Sequence, residues 1–366
     1  MAERPALYDL THAELSALVA GWGEPSFRAN QIWRWLYKSF ASDFAEMANL
    51  PRELRTRLEA ETRLKLLEPE AQEISSTGQT RKVLFHLHDG NAIESVLMRN
   101  QDRRTACIST QAGCGMGCTF CATGQGGLTR NLSAGEIVAQ VIHFAREIRD
   151  ARIEQAQEDG TRAALGAHPI SNVVLMGMGE PLANYQATLQ ATKALIDPRG
   201  YGLGARRITL SSVGLVPGIR RLAEAAIPIN LAVSLHAAND ELRNKLVPVN
   251  QTYPLADLLA AVRDYVDTTG RRVTFEYALI SGINDAPRQA RELAALLHGL
   301  LCHVNLIALN PTPGSPQRPS SPARVNAFHA ELEGAGIPVT VRMRRGIEIE
   351  AGCGQLRQRQ KRIAAR

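Results

Sequence analysis

Three cysteines fall in the pattern Cys114-x3-Cys118-x2-Cys121, inside CISTQAGCGMGCTFCATGQGG. A closed structural zinc site or a saturated four-iron cube takes four protein ligands. Three thiolates on such a cube leave one iron open. That is the arrangement required by chemistry that reduces a sulfonium such as S-adenosylmethionine (SAM) at a metal. Gly113, Gly115 and Gly117 let the backbone fold tightly round a cluster. The competing reading is a zinc site that borrows a remote fourth ligand.

Other groups suited to a ligand close the apolar runs that read as strands. After SNVVLM comes Met176-Gly-Met-Gly-Glu-Pro181, where Gly177 and Gly179 bring backbone close to a ligand. Glu180 offers a carboxylate to an ammonium such as that of SAM. The plainer reading is a helix-starting turn. RITLSS ends in Ser211 and Ser212, small donors for a carboxylate or ribose, and INLAVSLH ends in Ser234, Leu235 and His236. HVNLIALN ends in Asn310, which can read an adenine or ribose edge. Singly these are ordinary loop residues, but successive polar ends beside a cysteine cluster point to a site.

Two further cysteines stand out. Cys353 lies between glycines in Ile349-Glu-Ala-Gly-Cys-Gly354, which points to an exposed, closely approached thiol. Cys107 lies within TACIST, seven residues before the cluster, and on its own reads as a buried free thiol. Cys302 opens an apolar strand and reads as core. Glu94, in AIESVLM, reads on its own as the outward face of a half-buried strand.

These residues need a frame. TACIST, SNVVLM, RITLSS, INLAVSLH, VTFEYALI and HVNLIALN alternate with helical stretches, giving six βα units and a parallel sheet. The expected fold class is α/β, a partial (β/α)6 barrel of the TIM type, whose functional groups gather on loops after the strands. Residues 1–65 read as a small helical N-terminal domain, with a helix over Gln31–Phe40 and a second after Pro51 carrying Leu54 and Leu58 on one face. Its Trp and Phe residues read as core. Residues 66–100 form a strand hairpin, KVLFHLHDG turning at Asp89-Gly90-Asn91 into AIESVLM. The barrel is placed at 101–345 and a C-terminal segment at 346–366. The stretch 151–168 reads as an inserted loop or helix extension, and 308–322 as a Pro-rich loop.

The chain has 366 residues, 45% hydrophobic and 21% charged, ordinary for a globular protein with one large core. No apolar run approaches a membrane span, and the N-terminus lacks a signal peptide's apolar stretch, so a cytoplasmic protein without a membrane partner is expected. There its six cysteines stay reduced by default and point to metal or redox chemistry. Net charge is only +6, but Arg342, Arg344, Arg345 and the tail LRQRQKRIAAR are candidates to neutralise phosphates. Nothing indicates a dimer seam, and a monomer is expected.

The cysteine spacing is similar to the radical SAM signature. Together with MGMGEPLANY, ITLSS-x-GLVP, AVSLHAAND, LNPTPGSP and EAGCGQL, in this order, it resembles the RlmN family of dual-specificity RNA adenine C2 methyltransferases. The likeness runs from about residue 30 to the tail. It implies a [4Fe–4S] cluster on Cys114, Cys118 and Cys121. It implies SAM contacts at Gly179, Glu180, Ser211, Ser234, Leu235, His236 and Asn310. Cys353 is implied to be the methylated cysteine, Cys107 its resolving partner and Glu94 the proton acceptor. The implied substrates are an adenosine in the peptidyl-transferase region of 23S rRNA and the adenosine 3′ of the anticodon in tRNA, with a flavodoxin-like reductant.

The target explains the machinery. C2 of adenine lies between two ring nitrogens, is electron-poor, and does not attack the methyl of SAM. The family scheme uses two SAM per turnover: the first methylates Cys353, and the second yields a radical that takes a hydrogen from the S-methyl group. The methylene adds to C2, Glu94 takes the C2 proton, and Cys107 attacks the Cys353 sulfur to release the base and leave a transient disulfide. The target base must leave its stack. Three rivals stay open: a sister enzyme acting on adenine C8, against which Glu180-Pro181 speaks because that type tends to carry Glu-Ala; a non-catalytic RNA-binding protein with a structural metal; and a radical SAM enzyme for a small metabolite, which would not explain Cys353 or the basic tail.

Overall fold

A computed structural model describes residues 4–161, 168–312, 315–342 and 349. Cys353, Arg344, Arg345 and the basic tail lie outside the described residues.

Three helices open the chain: α1 (His12–Gly21), α2 (Phe27–Tyr37) and α3 (Arg52–Glu61). The Thr11 hydroxyl accepts from the Glu14 amide and Glu14 reaches back, a reciprocal cap that starts α1. Helix α2 buries Ile32, Trp33, Leu36 and Tyr37, whose spacing predicts one apolar face. It starts and stops earlier than the expected span, because Phe40 sits at φ +54°, a left-handed backbone that no helix continues. Helix α3 follows Pro51 and buries Leu54 and Leu58. Trp33 is buried, as expected of a core residue, whereas Phe27 is half exposed.

Strands β1 (Leu67–Ile74), β2 (Thr80–Leu87), β3 (Ala92–Asn100) and β4 (Arg103–Cys107) then run antiparallel in succession. The hairpin is thus three strands, and it continues into the barrel through the β3–β4 pair. Strand β1, LEPEAQEI, is a mostly exposed edge strand with a bulge between Pro69 and Ala71, so it shows no apolar alternation in sequence. Strands β5 (Gln111–Cys114) and β6 (Gly127–Asn131) form a separate ribbon enclosing the short helix α4 (Ala122–Gln125).

From β4 the sheet continues in parallel through β7 (Asn172–Leu175), β8 (Ile208–Ser212), β9 (Asn230–Ser234), β10 (Val273–Leu279), β11 (Cys302–Ala308) and β12 (Val339–Arg342). The six expected strands are present, and β12 is a seventh. Its four mostly exposed residues carry no pattern. The covering helices are α5 (Ala134–Glu158), α6 (Tyr185–Ile196), α7 (Val216–Glu224), α8 (Asp240–Leu246), α9 (Leu255–Thr269), α10 (Pro287–Leu297) and α11 (Pro322–Gly334). Helix α5 runs on through 151–158, so the first part of the supposed insertion is helix extension.

One face of the β2–β3 hairpin packs on α5: Phe85 lies edge-on to Phe144, ring centroids 6.4 Å apart. Each such buried side chain contributes roughly 1.5–3 kcal/mol. The other face, with Glu94, Val96 and Met98, lines the barrel interior. The N-terminal helices join the same core. Arg146 of α5 donates to the Phe40 and Ala41 carbonyls at 2.8 and 3.0 Å, and Asp9 accepts from the Gly135 amide at 2.6 Å.

Candidate active site

The barrel encloses a cavity of about 1270 Å³. At one end stands the cysteine loop. Cys114 ends β5, and Cys118 and Cys121 follow in the loop leading to α4; all three line the cavity. Gly113, at φ +81°, lies against β6 so closely that a Cβ would run into the Gly127 carbonyl oxygen. Gly117 has φ +67°, while a Cβ on Gly115 would meet only ordinary contact, so two of the three expected glycines are sterically required. The ribbon is anchored through Arg130 of β6, which bonds both oxygens of Glu136 at 2.7 and 2.8 Å and also meets Asp89 in the β2–β3 turn.

Burial pushes the Cys114 thiol up to about 11, with the neighbouring Cys121 adding to the rise. Burial and the charges of Cys121 and Cys114 push Cys118 higher still. Among the described residues, no three His, Cys, Asp or Glu side chains lie together so as to hold a metal ion. The three thiols nonetheless line one end of the same cavity and their charged forms repel one another, so a cationic inorganic centre bound there would hold them as thiolates.

The strand ends surround this loop. Glu180 is buried, and burial pushes its carboxyl up to about 7. Its Oε1 accepts from the Leu182 amide at 3.0 Å and its Oε2 from the Val213 amide at 2.8 Å. The carboxylate therefore binds the β7 and β8 ends together, and only its remaining lone pairs face the cavity. Gly177 and Gly179 also have a packing reason: a Cβ on Gly177 would lie 2.7 Å from Ser109 Oγ, and one on Gly179, at φ +102°, 2.6 Å from Gln111 Cβ. Ser211 and Ser234 are half-buried on the cavity wall, and Asn310 is exposed at its rim. Ser212 is buried and accepts from the Gly214 and Leu215 amides at 3.0 and 3.3 Å, so it caps a turn. Leu235 is fully buried in the core and does not reach the wall. Its amide donates to the Glu276 carbonyl at 3.0 Å, and its carbonyl accepts from Arg243.

His236 adopts φ +62°, a left-handed conformation costly for a residue with a Cβ. Its Nδ1 accepts from the Ala278 amide at 2.9 Å, which leaves the proton on Nε2. Burial, helped by the Arg243 charge, lowers its pKa to about 3, so the ring is neutral. It stands edge-on to Phe120 of the cysteine loop, centroids 4.6 Å apart.

Glu94 and Cys107 face the same cavity from β3 and β4. Glu94 is 3% exposed, against the expectation of an outward-facing strand residue, because β3 lies inside the sheet and its second face looks into the barrel. Val96 pairs with Cys107, so Glu94, two residues away on β3, shares the face with Cys107. Burial raises the Cys107 thiol to about 11, partly offset by Arg342 and a Met176 amide. Cys302 is buried as expected.

Sequence reasoning missed the residues that hold this arrangement. Gln140 of α5 is fully buried; its amide donates to the Ser109 carbonyl at 2.8 Å and its oxygen accepts from the Ser109 amide and the Ser95 hydroxyl at 2.7 and 2.6 Å. Ser109 in turn donates to the Glu94 carbonyl at 2.6 Å. Arg243 is fully buried and donates to Leu235, Val213 and Ser234 carbonyls and to Asn250. Arg243 sits in the polar run DELRNKL, which in sequence looks like a solvated helix face.

Comparison with known proteins agrees with this geometry. Residues 6–64 match the model described as "Ribosomal RNA large subunit methyltransferase N-terminal domain", and residues 108–294 match the radical SAM superfamily. A protein of Roseiflexus sp. (strain RS-1), named "Probable dual-specificity RNA methyltransferase RlmN", is 51% identical over 382 residues, covering 96% of each chain. "Dual-specificity RNA methyltransferase RlmN 1" of Myxococcus xanthus (strain DK1622) is 49% identical, covering 96% of this chain and 94% of its own. The crystal structure of a radical SAM methyltransferase from Sphaerobacter thermophilus superposes with a TM-score of 0.88 at 51% identity, over 96% of this chain and 98% of that one. Radical SAM enzymes use a [4Fe–4S] cluster with SAM, and the three-thiol end of the cavity fits such a centre. On fold, site and likeness together, the chain belongs to the RlmN family of radical SAM methyltransferases.

Proposed function

We propose that this chain methylates C2 of adenosine in RNA, in 23S rRNA and in tRNA, as a cytoplasmic monomer fed electrons by a flavodoxin-like reductant and using two SAM per turnover. The names of its relatives support RNA as the substrate class. The observation that carries the chemistry is that Glu94 and Cys107 look into the same cavity as Cys114, Cys118 and Cys121. Diagonal neighbours on adjacent strands lie roughly 7–8 Å apart, so one nucleobase edge spans Glu94 and Cys107.

Cys114, Cys118 and Cys121 would hold the cluster, which when bound supplies an open iron and an electron for SAM cleavage. Gly179, Ser211, Ser234 and Asn310 line the wall where SAM would lie, while Glu180, His236 and Leu235 fix the strand ends behind them. Cys353 takes a methyl group from SAM by displacement at carbon, S-adenosylhomocysteine leaving. Once that methyl carbon has given a hydrogen atom to the 5′-deoxyadenosyl radical from the second SAM, it adds to C2 of the adenine. The odd electron of this adduct would return to the cluster, and the Glu94 carboxylate accepts the C2 proton. The Cys107 thiolate then attacks the Cys353 sulfur, breaking its bond to the methyl carbon; the disulfide forms as the freed carbon takes up a proton and becomes the new methyl group.

The test uses holoenzyme, SAM, reductant and an RNA fragment under anaerobic conditions. Cys107→Ala is expected to accumulate a protein–RNA adduct on denaturing gels, and Cys353→Ala to form none. Full activity without adduct in both variants overturns the two-cysteine scheme. Mass spectrometry of the digested RNA must give 2-methyladenosine; an 8-methyl product assigns the sister activity instead.

A further inference from the structure

Glu276 of β10 is a buried carboxylate for which the proposed chemistry has no use. It is 7% exposed, yet it lines the cavity. It pairs with Ser234 of β9 and with Asn305 of β11, and paired residues share a face of a sheet. All three line the cavity. The Asn305 amide nitrogen donates to Glu276 Oε2 at 2.9 Å, and the Thr340 hydroxyl of β12 donates to the Asn305 amide oxygen at 3.3 Å. Thr340 has a single hydroxyl proton, so His303 Nε2, 2.9 Å away, donates to it. This chain of bonds fixes which way the Asn305 amide points. Among the described residues nothing bonds Glu276 Oε1 or the second amide hydrogen of Asn305, which leaves one acceptor beside one donor.

The strand order sets what faces this wall. The row β3-β4-β7-β8-β9-β10-β11-β12 curls until Arg342 Nη2 of β12 lies 3.9 Å from the Met98 sulfur of β3. In that curled row β10 stands four places from β4 counted either way, so Glu276 lies across the cavity from Cys107. Burial raises both the Cys107 thiol and the Glu276 carboxyl, and the Arg342 charge opposes the rise in each, so one guanidinium acts on both walls. A barrel of about eight strands has an interior suited to one small ligand.

An adenine whose C2 is turned to Glu94 and Cys107 turns its far edge to this wall. C2 lies across the six-membered ring from C5, which carries N7, and C5 adjoins C6, which carries the amine. That edge offers an N6–H donor beside an N7 acceptor. Glu276 Oε1 and the Asn305 N–H are its complement. A base with an oxygen at C6 sets two acceptors there and brings O6 against a carboxylate oxygen. We propose that Glu276 and Asn305 select adenine, Glu276 Oε1 accepting from N6–H and the Asn305 amide donating to N7. The assignment rests on the C2 reading above, which decides the edge that meets each wall. The adenine amine also gives the buried carboxylate the second partner it lacks.

RNA stem-loops are made with one of four bases at the target position: adenine, purine without the amine, 7-deazaadenine without N7, or hypoxanthine, which keeps the C2 hydrogen but carries O6. Reconstituted holoenzyme methylates them anaerobically with SAM and dithionite, and kcat/KM is read by mass spectrometry of the digested RNA. Wild type should use purine and hypoxanthine about ten-fold less well than adenine, the loss of one hydrogen bond. Glu276→Ala should bring adenine and purine within about two-fold of each other, and Asn305→Ala should do the same for adenine and 7-deazaadenine. In Glu276→Gln the amide oxygen must accept from Asn305, which turns the amide nitrogen to the cavity; its use of hypoxanthine relative to adenine should rise about ten-fold. Such a change of preference cannot come from a merely structural carboxylate. Equal use of adenine and purine by wild type overturns the assignment, as do wild-type ratios in the variants. A higher SAM requirement for cleavage without RNA in both Glu276 variants places the carboxylate on SAM beside Ser234 and overturns it too. If wild type puts no methyl group on C2 of adenine, the C2 reading fails and the assignment falls with it; a C2-methyl product with unmoved ratios sinks the assignment alone.

Discussion

At the scale of single residues, Glu180 shows how competing forces set a charge. Two backbone amides donate to its carboxylate and favour the anion, yet burial outweighs them and lifts its pKa from 4.5 to about 7. A folded-state pKa above the unfolded value means the protonated form is the stabilising one. Its contribution is complete below pH 4.5 and is lost as pH rises through about 7. The loss amounts to something on the order of 3 kcal/mol. Glu180→Gln, which cannot ionise, should therefore flatten the fall in stability of the metal-free protein across this range, as followed by thermal unfolding at a series of pH values. Identical slopes in wild type and variant would refute the assignment.

At the scale of elements, α5 positions the site. Its reciprocal N-terminal cap, Ser133 with Glu136, also holds the ribbon through Arg130, and its Gln140 ties Ser109 and Ser95 to one side chain. Gln140→Leu leaves the Ser95 hydroxyl, the Ser109 amide and the Ser109 carbonyl without this partner at about 1–3 kcal/mol each, a loss of roughly 3 kcal/mol or more readable as a lower urea midpoint. A midpoint within error of wild type would mean that water or repacking replaces the network. The sequence showed the βα rhythm, the Cys114–Cys121 loop at a strand end and the helical face of Ile32, Trp33 and Leu36, because these follow from local period and spacing. Strand β12, the ribbon of β5 and β6, and the inward turn of Glu94 were not legible. Each depends on which sheet face meets the cavity, a matter of tertiary register that a short strand's composition does not record. Arg243 and Gln140 were hidden for a related reason, being polar groups satisfied only by carbonyls and hydroxyls remote in sequence.

At the scale of the whole molecule, the N-terminal helices and the barrel share one core, and Arg146, Arg149 and Asp9 stitch them together. They should unfold as a unit. The three tryptophans, Trp22, Trp33 and Trp35, all lie in the N-terminal helices or their links, whereas far-ultraviolet circular dichroism reports the entire chain. Urea transitions followed by fluorescence and by dichroism should coincide, and a fluorescence midpoint clearly below the dichroism midpoint would show an independent N-terminal unit. Among the described residues the sheet stops short of a closed ring, and β1 pairs on one side only. Such a rim can template a neighbour's strand and seed clumping. Here Pro69 supplies no amide hydrogen, the bulge beside it breaks the rung spacing, and Glu68, Glu70 and Glu73 set like charges along the strand. These three features each disfavour the pairing of this rim with another strand.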